Sequence, residues 1–209
     1  MPIILFFLLM QSFFYQDLPL PKIIDQPISF DEQRIELTLE YLVSHYGLIQ
    51  IKPTISPRMV VVHWTAIPTM EATFNTFNPS TLPNARAEIQ SAGALNVSSQ
   101  FLVDIDGTIY RLMPETTMAR HVIGLNHCAI GIENVGPGQD GKLTQAQLEA
   151  NVVLITYLQK KYPIEFVIGH YEYQDFVDHP LWLEKDAGYR TEKVDPGVEF
   201  MEDLRNRID

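Results

Sequence analysis

The chain alternates between short apolar runs and longer amphipathic stretches. Met59-Val60-Val61-Val62 is a continuous apolar run with three β-branched residues, the pattern of a strand buried on both faces, and it delivers His63 and Trp64 into a Pro-containing loop. Glu165-Phe166-Val167-Ile168-Gly169-His170 repeats the design, a short apolar run that ends in histidine. Each run carries an imidazole to the end of a strand. Two such strands side by side would bring two histidines to one metal ion.

Helical periodicity fills the intervals. Ser29-x-x-Glu32 has the form of a capping box, and Ile35, Leu39, Leu42, Val43 and Tyr46 follow at helical spacing up to Gly47, which predicts a helix over about 30–46 with a left-handed glycine cap. Residues Ile67 to Ser80 are rich in Thr, Asn and Pro and predict a loop bordering a site; a second helix is expected within Asn84 to Ala92. Gln100–Asp104 and Thr108–Leu112 are strand patterns joined through Asp106-Gly107, an antiparallel hairpin. Ala129 to Val135 resumes strand character. Thr144-x-x-Gln147 caps a helix with the stripe Leu148, Val152, Ile155, Leu158 and Tyr162, which leads into the His170 strand as an α/β crossover. Residues 171–191 are aromatic, acidic and irregular. Pro196 opens a last helix carrying Phe200, Leu204 and Ile208. The fold class is therefore α/β, with a mixed central β-sheet flanked by α-helices.

Composition narrows the function. At 209 residues, 46% of them hydrophobic and 20% charged, the chain can bury one sizeable core, and disorder is excluded as the default. Fifteen Lys plus Arg against 26 Asp plus Glu give a formal charge of -11, which repels phosphate backbones, so no nucleic-acid partner is expected. A single cysteine, Cys128, excludes an intramolecular disulfide and a multi-cysteine zinc site. The first fifteen residues form an apolar run too short for a membrane span and similar to the core of a secretory signal, with no Lys or Arg before it. The expectation is a periplasmic or secreted protein, with a cytoplasmic one as the alternative.

Chemistry concentrates at the strand ends. Catalytic zinc takes three ligands from His, Asp, Glu and Cys and keeps a fourth position for water. His63, His170 and Asp195 would supply two imidazoles and a carboxylate. Glu133, a carboxylate in an otherwise apolar strand, would accept a proton from water, and the ammonium of Lys193 would stabilise an oxyanion. Spacing alone does not choose among six histidines, and there is no His-Glu-x-x-His. His179, between His170 and Asp195, is the rival ligand.

Seven blocks in order settle the choice: Val61-Val-His63-Trp-Thr65, Val97-Ser-Ser-Gln-Phe101, Asp104-Ile-Asp-Gly-Thr-Ile-Tyr110, Arg120-His121, Asn126-His-Cys-Ala-Ile-Gly-Ile-Glu133, Val167-Ile-Gly-His170 and Lys193-Val-Asp-Pro-Gly197. Together they resemble the zinc-dependent N-acetylmuramoyl-L-alanine amidases of type 2, whose fold is shared by the peptidoglycan recognition proteins. The resemblance covers about Met59 to Phe200. It implies zinc held by His63, His170 and Asp195, catalysis by Glu133 and Lys193, and a substrate groove touched by His121, Gln100 and Asn126. The implied reaction is hydrolysis of the amide between the lactyl group of N-acetylmuramic acid and L-alanine of the peptidoglycan stem. Peptidoglycan or a muropeptide is then the partner, and no stable protein partner is expected. Two alternatives remain: a peptidoglycan-binding module without catalysis, and a zinc peptidase acting on stem peptides.

The expected organisation is a hydrophobic segment over 1–20, a helical extension over 21–58 packed on the domain, and the zinc amidase domain over 59–209. Two features depart from the family pattern. Ser99-Gln100 stands where many members carry a histidine, and the segment between His170 and Asp195 is longer, which reads as an inserted lid or specificity loop.

Overall fold

Six strands form one mixed sheet in the computed structural model, which describes residues 20–83 and 93–208. The N-terminal apolar run and the helix expected within 84–92 lie outside the described residues. Strands β1 (Ile23–Asp25), β2 (Met59–Trp64), β3 (Phe101–Val103), β4 (Ile109–Arg111), β5 (Ala129–Asn134) and β6 (Phe166–Gly169) lie in the order β1-β4-β3-β5-β2-β6. Only the β3–β4 hairpin is antiparallel; the other neighbours run parallel. The two apolar runs that end in histidine are adjacent in the sheet.

Side chains alternate across each strand and divide the core. Val60 and Val62 join Ile130 and Ile132 beneath Leu148, Leu154, Ile155 and Leu158 of α3 (Gln145–Lys161) and Met201 and Leu204 of α4 (Val198–Ile208). Met59 and Val61 pack on the other side with Ala129, Ile168, Tyr173 and Leu181. By the same alternation His63, Gly131 and Glu133 belong to this second face. Among the described residues no helix is long and apolar enough to cross a membrane.

The expected helix over 30–46 is α1 (Glu32–Tyr41) continued by one π-type turn, Leu42–Tyr46, and closed by Gly47 at φ 69°. The wider turn buries Leu42, His45 and Tyr46 and leaves Val43, expected on the buried stripe, exposed. Its cap is also a correction. Asp31 accepts the amide of Arg34 at 2.9 Å, whereas Ser29 donates its amide and hydroxyl to Asn78 Oδ1 at 2.8 and 3.1 Å. A tertiary partner draws Ser29 away, and the carboxylate two residues later caps the helix.

The loop expected over Ile67–Ser80 contains a helix, α2 (Met70–Phe77), capped by Thr69, whose hydroxyl accepts the amide of Ala72 at 3.2 Å. Met70, Phe74 and Phe77 form an i, i+4, i+7 stripe against Ile28, Leu102 and Leu112. Buried Arg34 donates to the carbonyls of Phe77, Asn78 and Pro79 at 2.8, 3.2 and 2.6 Å and thereby ties α1 to the end of α2. The Thr144–Gln147 capping box forms as expected.

Candidate metal centre

Sheet register assembles the site. In β2 and β5, His63 stands opposite Glu133; in β2 and β6, Val62 stands opposite Gly169, so His170 follows directly beside His63. Three functional side chains thus line up across the carboxyl ends of adjacent parallel strands, the usual place for ligands in such sheets. Asp195 comes from the segment before α4, and its backbone carbonyl accepts the amide of Tyr171 at 3.1 Å. His63, His170 and Asp195 are buried at 1%, 7% and 8% exposure, and one ligand atom from each lies within 4.8 Å of the others.

The donor set suits a metal ion. Nδ1 of His170 lies 3.0 Å and Nδ1 of His63 3.3 Å from the same oxygen, Asp195 Oδ2, and the two imidazole centroids are 4.3 Å apart. Burial alone would raise the Asp195 carboxyl, but the hydrogen bonds to His170 and His63 outweigh it and hold the group well below the usual carboxylate range. Burial, with His63 nearby, pushes the His170 imidazole down to about 4. At neutral pH the cluster therefore offers a carboxylate and a neutral imidazole, the forms that bind metal. These three residues can hold a metal ion.

Around them a groove is lined by Glu133, Lys193 and His121 together with Trp64, Tyr189 and Thr191. His121 sits behind His63, with Nδ1 at 3.0 Å from His63 Nε2, and burial followed by the influence of His63 holds its pKa well below the ordinary histidine value. Of the two amides expected at the substrate, Asn126 borders this groove and Gln100 does not. Gln100 is fully buried, donating to Thr117 O at 2.8 Å and accepting from Gly131 N at 2.7 Å, so it braces β3 against β5. Asn126, 1% exposed, accepts the amides of His121 and Val122 and donates to Tyr46 Oη at 2.9 Å. Both amides are committed to backbone and side-chain bonds that shape the groove.

The remaining histidines stand apart from the cluster. His179 packs between Phe166 and Phe176, with Nδ1 accepting Leu181 N at 3.2 Å. His45 pairs with Glu184 at 3.0 Å, and His127 packs on Tyr46. Burial raises the Cys128 thiol to about 12, which makes it inert as a nucleophile at neutral pH.

Several positioning residues escaped the sequence reading. Asn134 donates to the His63 carbonyl at 3.0 Å and accepts from Asn151 at 2.7 Å, while Gln147 donates to Val135 O at 2.9 Å. This buried amide chain locks the end of β2 to α3. Its signal was present as Gln147 and Asn151, i and i+4 on an otherwise apolar helix face. Glu172 accepts the amide of Gly169 at 2.7 Å and pairs with Arg205, which fixes the turn that starts at His170. The residue three after Gly169 is the place where a capping carboxylate is looked for.

The segment between His170 and Asp195 packs along the groove as one of its walls. It begins as a 3-10 turn, His170–Phe176, and buries Tyr173, Leu181 and Tyr189 in the core of the site face. Leu183 N donates to Gly124 O at 3.1 Å and Lys185 N to His45 O at 2.9 Å. Arg190 stacks on Trp182 at 4.6 Å.

Solved structures share this fold. The chain is similar to the N-acetylmuramoyl-L-alanine amidase LysC from Clostridium intestinale, with 22% identity and a TM-score of 0.56 over 90% of this chain and 97% of that one. It is similar to the Ph2119 endolysin of a Thermus scotoductus bacteriophage, with 20% identity and a TM-score of 0.51 over 76% and 92%. Bumblebee PGRP-SA gives 20% identity and a TM-score of 0.50 over 89% and 95%. At such identities the likeness is one of fold. No curated protein matches the sequence. A family model described as N-acetylmuramoyl-L-alanine amidase matches residues 53–198, more than half of the chain and a span that contains His63, Glu133, His170, Lys193 and Asp195. The protein therefore belongs to the N-acetylmuramoyl-L-alanine amidase family.

Proposed function

We propose that this protein is a zinc-dependent amidase that cleaves the bond between the lactyl group of N-acetylmuramic acid and L-alanine of the peptidoglycan stem. The observation that carries the reading is the convergence of His63 Nδ1, His170 Nδ1 and Asp195 Oδ2 beside a groove that also holds Glu133 and Lys193. A zinc ion held by these three residues would supply Lewis-acid chemistry, acidifying water and polarising a carbonyl.

The other steps fall to the chain's own groups. Glu133, in register with His63, takes a proton from the attacking water as its oxygen bonds to the lactyl carbonyl carbon. Lys193 offers its ammonium to the carbonyl oxygen as negative charge develops there. Glu133 then returns the proton to the L-alanine nitrogen, the carbon–nitrogen bond breaks, and the products are a lactyl carboxylate and a free stem peptide. The walls formed by Trp64, Tyr189 and Thr191 border the groove in which the muramyl peptide lies.

Mass spectrometry of defined muropeptides incubated with the protein tests this reading. Release of a stem peptide beginning at L-alanine, abolished by chelator and restored by zinc, is the expected outcome. Fragments cut within the stem would indicate a peptidase instead. Binding without product, by folded and zinc-loaded protein, would reduce the chain to a recognition module.

A further inference from the structure

Both ring nitrogens of His63 have partners. Nδ1 faces Asp195 Oδ2 at 3.3 Å, and Nε2 faces Nδ1 of His121 at 3.0 Å, the two rings meeting edge to face at 89°. The other nitrogen of His121, Nε2, lies 3.3 Å from the carbonyl oxygen of Ala129. A carbonyl only accepts, so His121 carries its hydrogen on Nε2 and presents Nδ1 as an acceptor. His63 must then donate from Nε2. With a cation held between it and the Asp195 carboxylate, His63 Nδ1 would turn its lone pair to that ion.

The His121 ring is held in place from two sides. Asn126 Oδ1 accepts the backbone amides of His121 and Val122 at 2.9 and 2.8 Å. Beneath the ring lies Gly131, where a Cβ would come within 2.8 Å of His121 Cγ. Only glycine admits the imidazole there.

Building on the zinc-amidase reading above, we propose that His121 is the positioning residue for the metal ligand His63, setting its tautomer and ring orientation through the chain Ala129 carbonyl, His121, His63. Such partners behind a metal-bound histidine typically change metal affinity by about 10–100-fold.

The test measures zinc affinity by competition with a chromogenic chelator for wild type, His121→Leu and His121→Asn, alongside circular dichroism of each zinc-free protein. His121→Leu keeps bulk but removes the acceptor and should bind zinc about 10–100-fold more weakly with an unchanged fold. His121→Asn places an amide oxygen near the former Nδ1 and should recover most of the affinity. A proton–nitrogen correlation spectrum of the zinc-loaded wild type should place the His63 hydrogen on Nε2. Wild-type affinity in the leucine variant, equal weakness in both folded variants, or a hydrogen on His63 Nδ1 would overturn the proposal. Should the leucine variant not fold, the asparagine variant and the wild-type tautomer decide. A wild type that binds no zinc would instead overturn the metal reading itself.

Discussion

Within the site, the groups divide by task. His63, His170 and Asp195 are buried and face one another, whereas Glu133 and Lys193 line the groove beside them. Glu133→Gln removes the proton acceptor and should lower kcat by about 10²–10⁴-fold while zinc affinity stays at the wild-type value. Lys193→Ala should lower kcat by about 10²–10³-fold, again with metal retained. His170→Ala should lose metal and activity together. Turnover and chelator competition measured on the same preparations separate the two classes, and a full-rate Glu133→Gln enzyme would remove that residue from the mechanism. His63, His170 and Glu133 were legible as strand-end histidines and an isolated strand carboxylate, and Asp195 and Lys193 through the order of the motif blocks; the structure brings all five to one groove. The part of Gln100 was not legible. An amide reads the same in sequence whether it touches a substrate or, as with Gln100, accepts the amide of Gly131 31 positions away.

Secondary elements show where local rules prevail and where tertiary partners override them. The Thr144 capping box forms as its sequence pattern implies, but Ser29 donates to Asn78 instead of capping α1. Asp31→Ala should therefore cost about 1 kcal/mol in a urea melt, with Ser29→Ala costing less. Helix α3 is also anchored through Glu115, a buried carboxylate paired with Lys161 Nζ at 2.7 Å and accepting from Tyr162 Oη at 2.6 Å. Burial would raise its pKa, yet the bonds from Lys161 and Tyr162 prevail and lower it below 4.5. A folded pKa below the unfolded one adds stability above the unfolded value and loses it as pH falls through the folded one. Glu115→Gln should accordingly lower Tm at pH 7, and the difference from wild type should shrink in acid as pH falls through the lowered pKa of the folded carboxyl. A difference that persists in acid would assign the loss to packing. Helix α2 was hidden by its Thr and Asn content, although its Met70, Phe74, Phe77 stripe was present.

At the scale of the whole molecule, the groove wall bears on stability, and a metal held by the cluster would do so too. Zinc that binds only the folded chain should stabilise it by about 2.7 kcal/mol at a concentration one hundred times Kd, so chelation should lower Tm and zinc should restore it. Deleting residues 174–188 would remove Leu181, Trp182 and Glu184, and with Glu184 the partner of His45. The expected result is a lower Tm together with altered turnover; a deletion variant with wild-type stability would show the segment to be an independent lid. The sequence by itself determined the mixed α/β architecture, the two histidine-bearing strands, the α3 crossover and the family, because periodicity and motif order are properties of neighbouring residues. The tertiary structure alone decided which strands lie adjacent, and hence that Glu133 stands in register with His63 and that His170 follows beside it. It also decided that His121 stands against His63 and that residues 171–191 pack along the groove. Those outcomes depend on sheet register and on packing between segments far apart in the chain, which no local pattern of residues encodes.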